Sequence, residues 1–383
     1  MNKVLCWGFV GVVVFGLGGL LGLGWPGVQP VTAAQPPVGR LLADNPTAPT
    51  QPVKLVFIHH SSGGFWLADG YGRLGIALRD NNYYVSATNY GWTVNGDVIG
   101  DRTDIGNWWE WFRGPSSTAY MPAVYAETGK NTGDDGDYSR LATDPGGENE
   151  IVVFKSCYPN SDVQDPGSPI PAIGANPLRG ESYNSAYHTL ANAKGIYIDL
   201  LNYFATRPDK LFVVITAPPR AVGDGYAAGY GANARALNNW LVDTANGWLS
   251  GYAGNNVAVF DYFTVLTGPD NHHRYNAGVI EHTTSANNSS YYPTGDSHPS
   301  QAGDQKATTE FLPLLNIFYH RWKDGAPSGV VFAREASAGQ IISPARYLLM
   351  WIFVFAVGMA AGLNVETLKT WLAQFKWHLL RQR

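Results

Sequence analysis

Five short runs rich in β-branched and aromatic residues recur along the chain, at 55–58 (LVFI), 84–88 (YVSAT), 151–155 (IVVFK), 211–216 (LFVVIT) and 257–260 (VAVF). Between them the apolar positions change to helical spacing. Leu190, Ala193, Tyr197, Leu200, Leu201 and Phe204 share one helical face, as do Leu237, Trp240, Leu241 and Trp248. Strands alternating with helices in this way predict βαβ units and a mainly parallel sheet with helices on both faces. In such a sheet a site belongs at the carboxyl ends of the strands.

At 383 residues and 45% hydrophobic, the chain can form one sizeable domain with appendages. A formal net charge of -4 excludes the broad basic face that a nucleic-acid partner requires.

The two ends are of another kind. Lys3, an apolar run, and small residues in "PVTAAQ" read as a signal peptide over residues 1–34, with an uncleaved anchor as the alternative. Residues 35–53, rich in Pro and small side chains, read as a linker, and the domain as 54–322. After a second linker at 323–346, "YLLMWIFVFAVGMAAGL" is uncharged and just long enough to cross a bilayer, giving a transmembrane helix at 347–364. Lys369, Lys376, Arg381 and Arg383 then form a basic tail at 365–383, expected on the cytoplasmic side. The expectation is an exported domain tethered to the membrane by its C-terminal helix. Cys6 lies in the leader and Cys157 is the remaining cysteine, so the cleaved chain has no internal disulfide. Two polar stretches, 114–150 and 264–298, read as long insertions that serve a site or move.

Chemistry concentrates in "LVFIHHSSGGFWL", where a strand runs into His59, His60, Ser61, Ser62 and glycines. A serine on a sharp strand-to-helix turn is held exposed, and the helix after it adds positive potential for an oxyanion. Ser61 is thus the candidate nucleophile, with Ser62 as the fallback and a helix N-cap as the structural alternative for Ser61. Far downstream, "GDSHPSQAGD" offers His298 as the base, with Asp296 to orient its ring.

Strand, serine and glycine near the start, an asparagine-containing loop after the third strand, and "DSHPSQAG" before the last helix resemble the SGNH (GDSL-type) hydrolase superfamily, over roughly residues 54–322. The resemblance implies a flavodoxin-like three-layer αβα sandwich with a five-stranded parallel sheet, and acyl-enzyme chemistry on Ser61 with His298 as base. It also implies oxyanion donors from the Ser61 amide, from Asn160 in "VVFKSCYPNSDV", and from a glycine that is either Gly91 or Gly106. No metal or organic cofactor is called for. The Gly-Asp that usually precedes the serine is His59-His60 here, and the Asp-x-His spacing of Asp296 and His298 is that of the branch containing polysaccharide O-acetyltransferases. The implied activity is ester hydrolysis, directed at an acylated small molecule or glycan, or acyl transfer. Two rivals come from other classes. His59, His60, His272, His273, Asp296 and His298 include metal-binding types without a metal-site spacing, and a binding domain on a membrane stalk can keep a fold without its chemistry. Trp108, Trp109 and Trp111 read as core or as a sugar-stacking surface.

Overall fold

The computed structural model describes residues 44–225 and 229–324. The leader, the second linker beyond residue 324, the transmembrane segment and the basic tail lie outside the described residues; Lys323, read as linker, closes α8. Among the described residues, no helix is long and apolar enough to cross a membrane.

The chain runs β1 (Val53–Ile58), α1 (Ser62–Leu67), α2 (Leu74–Asp80), β2 (Tyr83–Thr88), α3 (Trp108–Phe112), α4 (Ser117–Ala126), β3 (Ile151–Lys155), α5 (Leu190–Phe204), β4 (Leu211–Ile215), α6 (Tyr230–Val242), β5 (Val257–Phe260), α7 (Tyr262–Leu266), β6 (His272–Asn276), β7 (Val279–Thr283) and α8 (Gln301–Lys323). All five predicted strands form. They pair in parallel in the order β2-β1-β3-β4-β5, the doubly wound order whose switch point falls between β1 and β3.

Every residue of these five strands is buried, because helices cover both faces of the sheet. Alternation along each strand sorts their side chains into two cores. Val56, Ile58, Val152, Phe154, Phe212 and Val214 face the layer of α3 to α6, which carries Trp108, Phe112, Ile196, Phe204 and Leu237. Leu55, Phe57, Val85, Val153, Val213 and Phe260 face the layer of α1, α2, α7 and α8, which carries Trp66, Leu78, Phe311 and Leu315. The result is a three-layer sandwich.

The structure refines several expectations. Residues 44–52, read as linker, lie against the domain: Arg321 of α8 pairs with Asp44, and Asn316 donates to the Pro46 carbonyl. The stretch 114–150 contains α4, and 264–298 contains most of α7 and the antiparallel β6-β7 hairpin, so neither is structureless. Trp108 and Trp111 are fully buried in the core, and Trp109 is covered by the Arg179 guanidinium at 4.9 Å; these indoles are not a sugar-stacking surface. Trp248 lies in the turn beyond α6, where its indole N–H donates to the Tyr197 carbonyl.

Candidate active site

Ser61 stands between β1 and α1, at the carboxyl edge of the sheet. It occupies the N-cap position of α1, but its side chain makes no capping hydrogen bond. The hydroxyl is directed instead to His298 Nε2 at 3.2 Å and Cys157 Sγ at 3.2 Å. With α1 spanning only Ser62–Leu67, its dipole is small, and the helix contributes less field than the sequence implied.

His298 comes from the loop before α8. Its Nδ1 lies 2.9 Å from both carboxylate oxygens of Asp296, whose Oδ1 also accepts from the His298 amide at 2.8 Å and the Thr294 hydroxyl at 2.9 Å. A proton on Nδ1 satisfies Asp296 and leaves Nε2 free to accept from Ser61; this tautomer is inferred from the bonding. Partial burial raises the Asp296 acid, but the hydrogen bonds from His298 and Thr294 outweigh it and hold the carboxyl below its ordinary range. The loop is braced from both sides. Tyr71 donates to the Pro299 carbonyl at 2.9 Å, and Ser297 accepts from the Ala221 amide at 3.0 Å while donating to Asp224. Tyr158 and Phe65 meet the imidazole edge-on, with ring centroids at 5.0 and 5.8 Å. Sequence elements 237 positions apart thereby form one Ser-His-Asp line.

The expected oxyanion donors fare differently. The Ser61 amide has no partner among the described residues. The Gly91 amide donates to Asp101 Oδ1 at 2.7 Å. Gly106 sits in a 3₁₀ turn against the 178–181 segment, where an added Cβ would lie 2.2 Å from the Leu178 carbonyl. Asn160 is buried, with Oδ1 accepting from the Ile105 amide at 2.8 Å and Nδ2 donating to Asp104 at 2.6 Å. Gly91 and Asn160 are therefore committed to holding loops, and Gly106 to close packing.

Tyr90, just after β2, brings its phenol into the neighbourhood of Ser61 and Cys157. The ring stacks on His60 at 3.8 Å between centroids. His60 is fixed at both nitrogens: Nε2 donates to the Gly100 carbonyl and Nδ1 accepts from the Thr103 hydroxyl at 2.9 Å. More than half of Tyr90 is exposed, and the burial of the remainder, with Cys157 nearby, pushes the phenol up to about 12. It stays a protonated donor. The unusual His59-His60 pair thus has two separate roles. His60 is the platform for Tyr90, whereas His59 is fully buried against Phe57, at 5.0 Å between rings, under Gly63.

Sequence reasoning missed two more groups, Lys155 and Asp135, which lie near Cys157 of the loop after β3. Lys155, the last residue of β3, is fully buried and donates to Ser62 Oγ at 2.6 Å and the Ser156 carbonyl at 3.1 Å. Ser62, the fallback nucleophile, is fully buried, and of the two hydroxyls it is Ser61 that meets His298. Cys157 lies 3.3 Å from Ser62 Oγ as well as beside Ser61. Asp135, from the loop after α4, leans on Gly64 and accepts from Asn89 at 3.0 Å. A lysine closing an apolar strand was a readable signal; Asp135 had none, since only the fold brings its loop to β1.

The histidines weighed as metal ligands are dispersed: His272 bonds Glu310 at 2.8 Å, and His273 accepts from the Asp261 amide at 2.9 Å. Among the described residues, no cluster of three His, Cys, Asp or Glu side chains is arranged to hold a metal ion.

No family model and no curated protein matches this chain. Among solved structures, it is similar to an acetyl xylan esterase, Est2A, from the rumen bacterium Butyrivibrio proteoclasticus, at 15% sequence identity and a TM-score of 0.27. The likeness covers 73% of this chain and 65% of that one, just under two thirds of its length.

Proposed function

We propose that this protein is a serine esterase acting through an acyl-enzyme on Ser61, with O-acyl groups of glycans as its substrate class. The observation that carries this reading is the Ser61–His298–Asp296 line at the carboxyl edge of the sheet, beside the β1/β3 switch point. The Ser61 oxygen attacks the ester carbonyl carbon while its proton moves to His298 Nε2, and the carbonyl π pair moves onto oxygen. The resulting oxyanion is met by the Ser61 amide and the Tyr90 hydroxyl. Collapse breaks the bond to the leaving alcohol, which takes the proton from Nε2; water then repeats the sequence and frees the acid. A sugar hydroxyl in place of that water turns the same steps into acyl transfer. Asp296 holds the ring and stabilises the imidazolium.

A half-exposed tyrosine beside the nucleophile suits the apolar face of a sugar ring. The signal-like leader and the C-terminal apolar segment support an exported, membrane-tethered enzyme, which is part of this proposal. The test is turnover of p-nitrophenyl acetate by the full-length protein, beside Ser61→Ala and with EDTA present, together with fluorophosphonate labelling. Activity lost in Ser61→Ala, retained in EDTA, with Ser61 labelled, is the expected result. A wild type that is inert on a range of esters and unlabelled at Ser61 overturns the reading in favour of a binding domain.

A further inference from the structure

Asp135 has no place in the steps above. It belongs to "TGDDGDY", in a polar stretch read from the sequence as a long insertion, and the loop that carries it is tied to β2 and the turn after it. The Ala87 amide donates to the Gly129 carbonyl at 3.0 Å, Asn131 Nδ2 to the Ala87 carbonyl at 2.7 Å, and Asn89 Nδ2 to the Thr132 carbonyl at 3.1 Å. Asp137 is exposed and pairs with Lys130 at 2.8 Å. Asp135 is turned the other way, onto the first turn of α1, where a Cβ on Gly64 would meet its Oδ2 at 2.0 Å.

The two oxygens of Asp135 are not equivalent. Oδ2 accepts from Asn89 Nδ2 at 3.0 Å. Oδ1 has no partner among the described residues and is open to solvent. Burial raises the acid above its ordinary range and the charge of His298 draws it back, so the carboxyl lies within the field of the candidate base. Asn89 is itself buried, and its Oδ1 accepts from the Tyr90 amide at 2.8 Å. One amide side chain therefore holds both Asp135 and Tyr90, whose ring stacks on His60 and is more than half exposed. An exposed aromatic face with a fixed, open acceptor beside it matches a sugar ring, which offers an apolar face and hydroxyl donors at its rim.

We propose that Asp135 Oδ1 accepts a hydrogen bond from a free hydroxyl of the sugar whose acyl group Ser61 removes, with Tyr90 against the apolar face of that sugar. The substrate is then a partly acylated neutral sugar that keeps a hydroxyl near its ester, in preference to one whose hydroxyls are all blocked. The inference rests on the serine-esterase reading.

Its test uses the full-length protein at about pH 8, above the carboxylate range, and two substrates with the same single ester. One is a methyl glucoside acetylated at its primary hydroxyl; the other is the same ester with its remaining hydroxyls methylated, which removes the donors and keeps the ring and its oxygens. The wild type should favour the first in kcat/KM by about 10- to 100-fold, the worth of a hydrogen bond to a charged acceptor. Asp135→Ala should bring that ratio close to unity. The ratio compares two esters at one Ser61, so a general loss of activity or stability cancels from it, and a merely structural role of Asp135 would leave it where it was. Should Asp135→Ala fail to fold, the isosteric Asp135→Asn serves. The Asn89 donor keeps the new amide oxygen on its own side and turns Nδ2 to the sugar, a donor that ether oxygens satisfy as well as hydroxyls do, and the ratio again falls toward unity. A wild type without the preference, or a preference that survives in the variant, overturns the proposal. Ser61→Ala assayed alongside with p-nitrophenyl acetate separates the two readings. Turnover that persists in Ser61→Ala, or no labelling of wild-type Ser61 by fluorophosphonate, defeats the serine mechanism and this proposal with it. Serine-dependent turnover of p-nitrophenyl acetate, with neither sugar ester hydrolysed or both hydrolysed equally, defeats the role of Asp135 alone.

Discussion

His298 Nε2 stands 3.2 Å from Ser61 Oγ although 237 positions separate the two residues. Only the fold makes them neighbours: β1 lies beside the central strand β3, and the loop before α8 returns to the same carboxyl edge. Replacing either by alanine should reduce kcat on p-nitrophenyl acetate by about a thousandfold or more while leaving the thermal midpoint nearly unchanged. Asp296→Asn should cost less, about 10- to 100-fold, because that carboxylate is half exposed and water screens its charge. Equal losses in all three would contradict this grading.

Tyr90→Phe keeps the stack on His60 and removes only the hydroxyl. If the phenol holds the oxyanion, kcat should fall by about 100-fold with little change in KM. Asn160→Ala should show the opposite pattern. Its amide ties the Ile105 amide to Asp104, so about 1–3 kcal/mol of stability should be lost in urea unfolding. A kcat that collapses in Asn160→Ala and survives in Tyr90→Phe would return the oxyanion role to the asparagine.

The sheet was legible because five apolar runs of strand length with helical spacing between them leave few other architectures, and Ser61 and His298 were legible because each lies next to a readable turn. The surroundings of the Ser61 turn were not. Whether an amide faces a site or a neighbouring loop depends on contacts such as Gly91 with Asp101, between residues ten apart on a loop whose path no local pattern specifies. Lys155 was readable as a lysine closing an apolar strand, but its partner was not: Ser62 lies 93 positions away.

Gly64 and Gly70 form a controlled pair. A Cβ on Gly64 would lie 2.0 Å from Asp135 Oδ2 and 2.5 Å from Asp135 Cβ, whereas one on Gly70 meets nothing within 4 Å. Gly64→Ala should therefore displace the Asp135 loop from the site, lowering kcat/KM several-fold, while Gly70→Ala leaves it unchanged. Kinetics of the two variants at one pH decide the matter; equal values would show that Asp135 moves aside without consequence.

Acid stability should be set early by buried histidines, His59 and His273 above all, with His60 and His188 lowered by burial as well. Burial, aided by the Lys155 and His60 charges at His59 and by the His282 charge at His273, lowers these first two from 6.5 to about 3. Between those values the unfolded chain binds protons that the folded chain refuses, so stability is complete above pH 6.5 and falls as pH drops toward 3. Each group contributes a slope of up to about 1.4 kcal/mol per pH unit. Asp162, raised to about 6 by burial despite Arg220, acts in the opposite sense, so the comparison must be made between variants. Neither ring nitrogen of His59 has a hydrogen-bond partner. His59→Leu should therefore hold or raise stability at pH 7 and make the loss between pH 6 and 4 shallower by the share of one histidine. Urea unfolding at stepped pH measures both; an unchanged slope in the variant would mean that His59 already carries its proton in the folded chain.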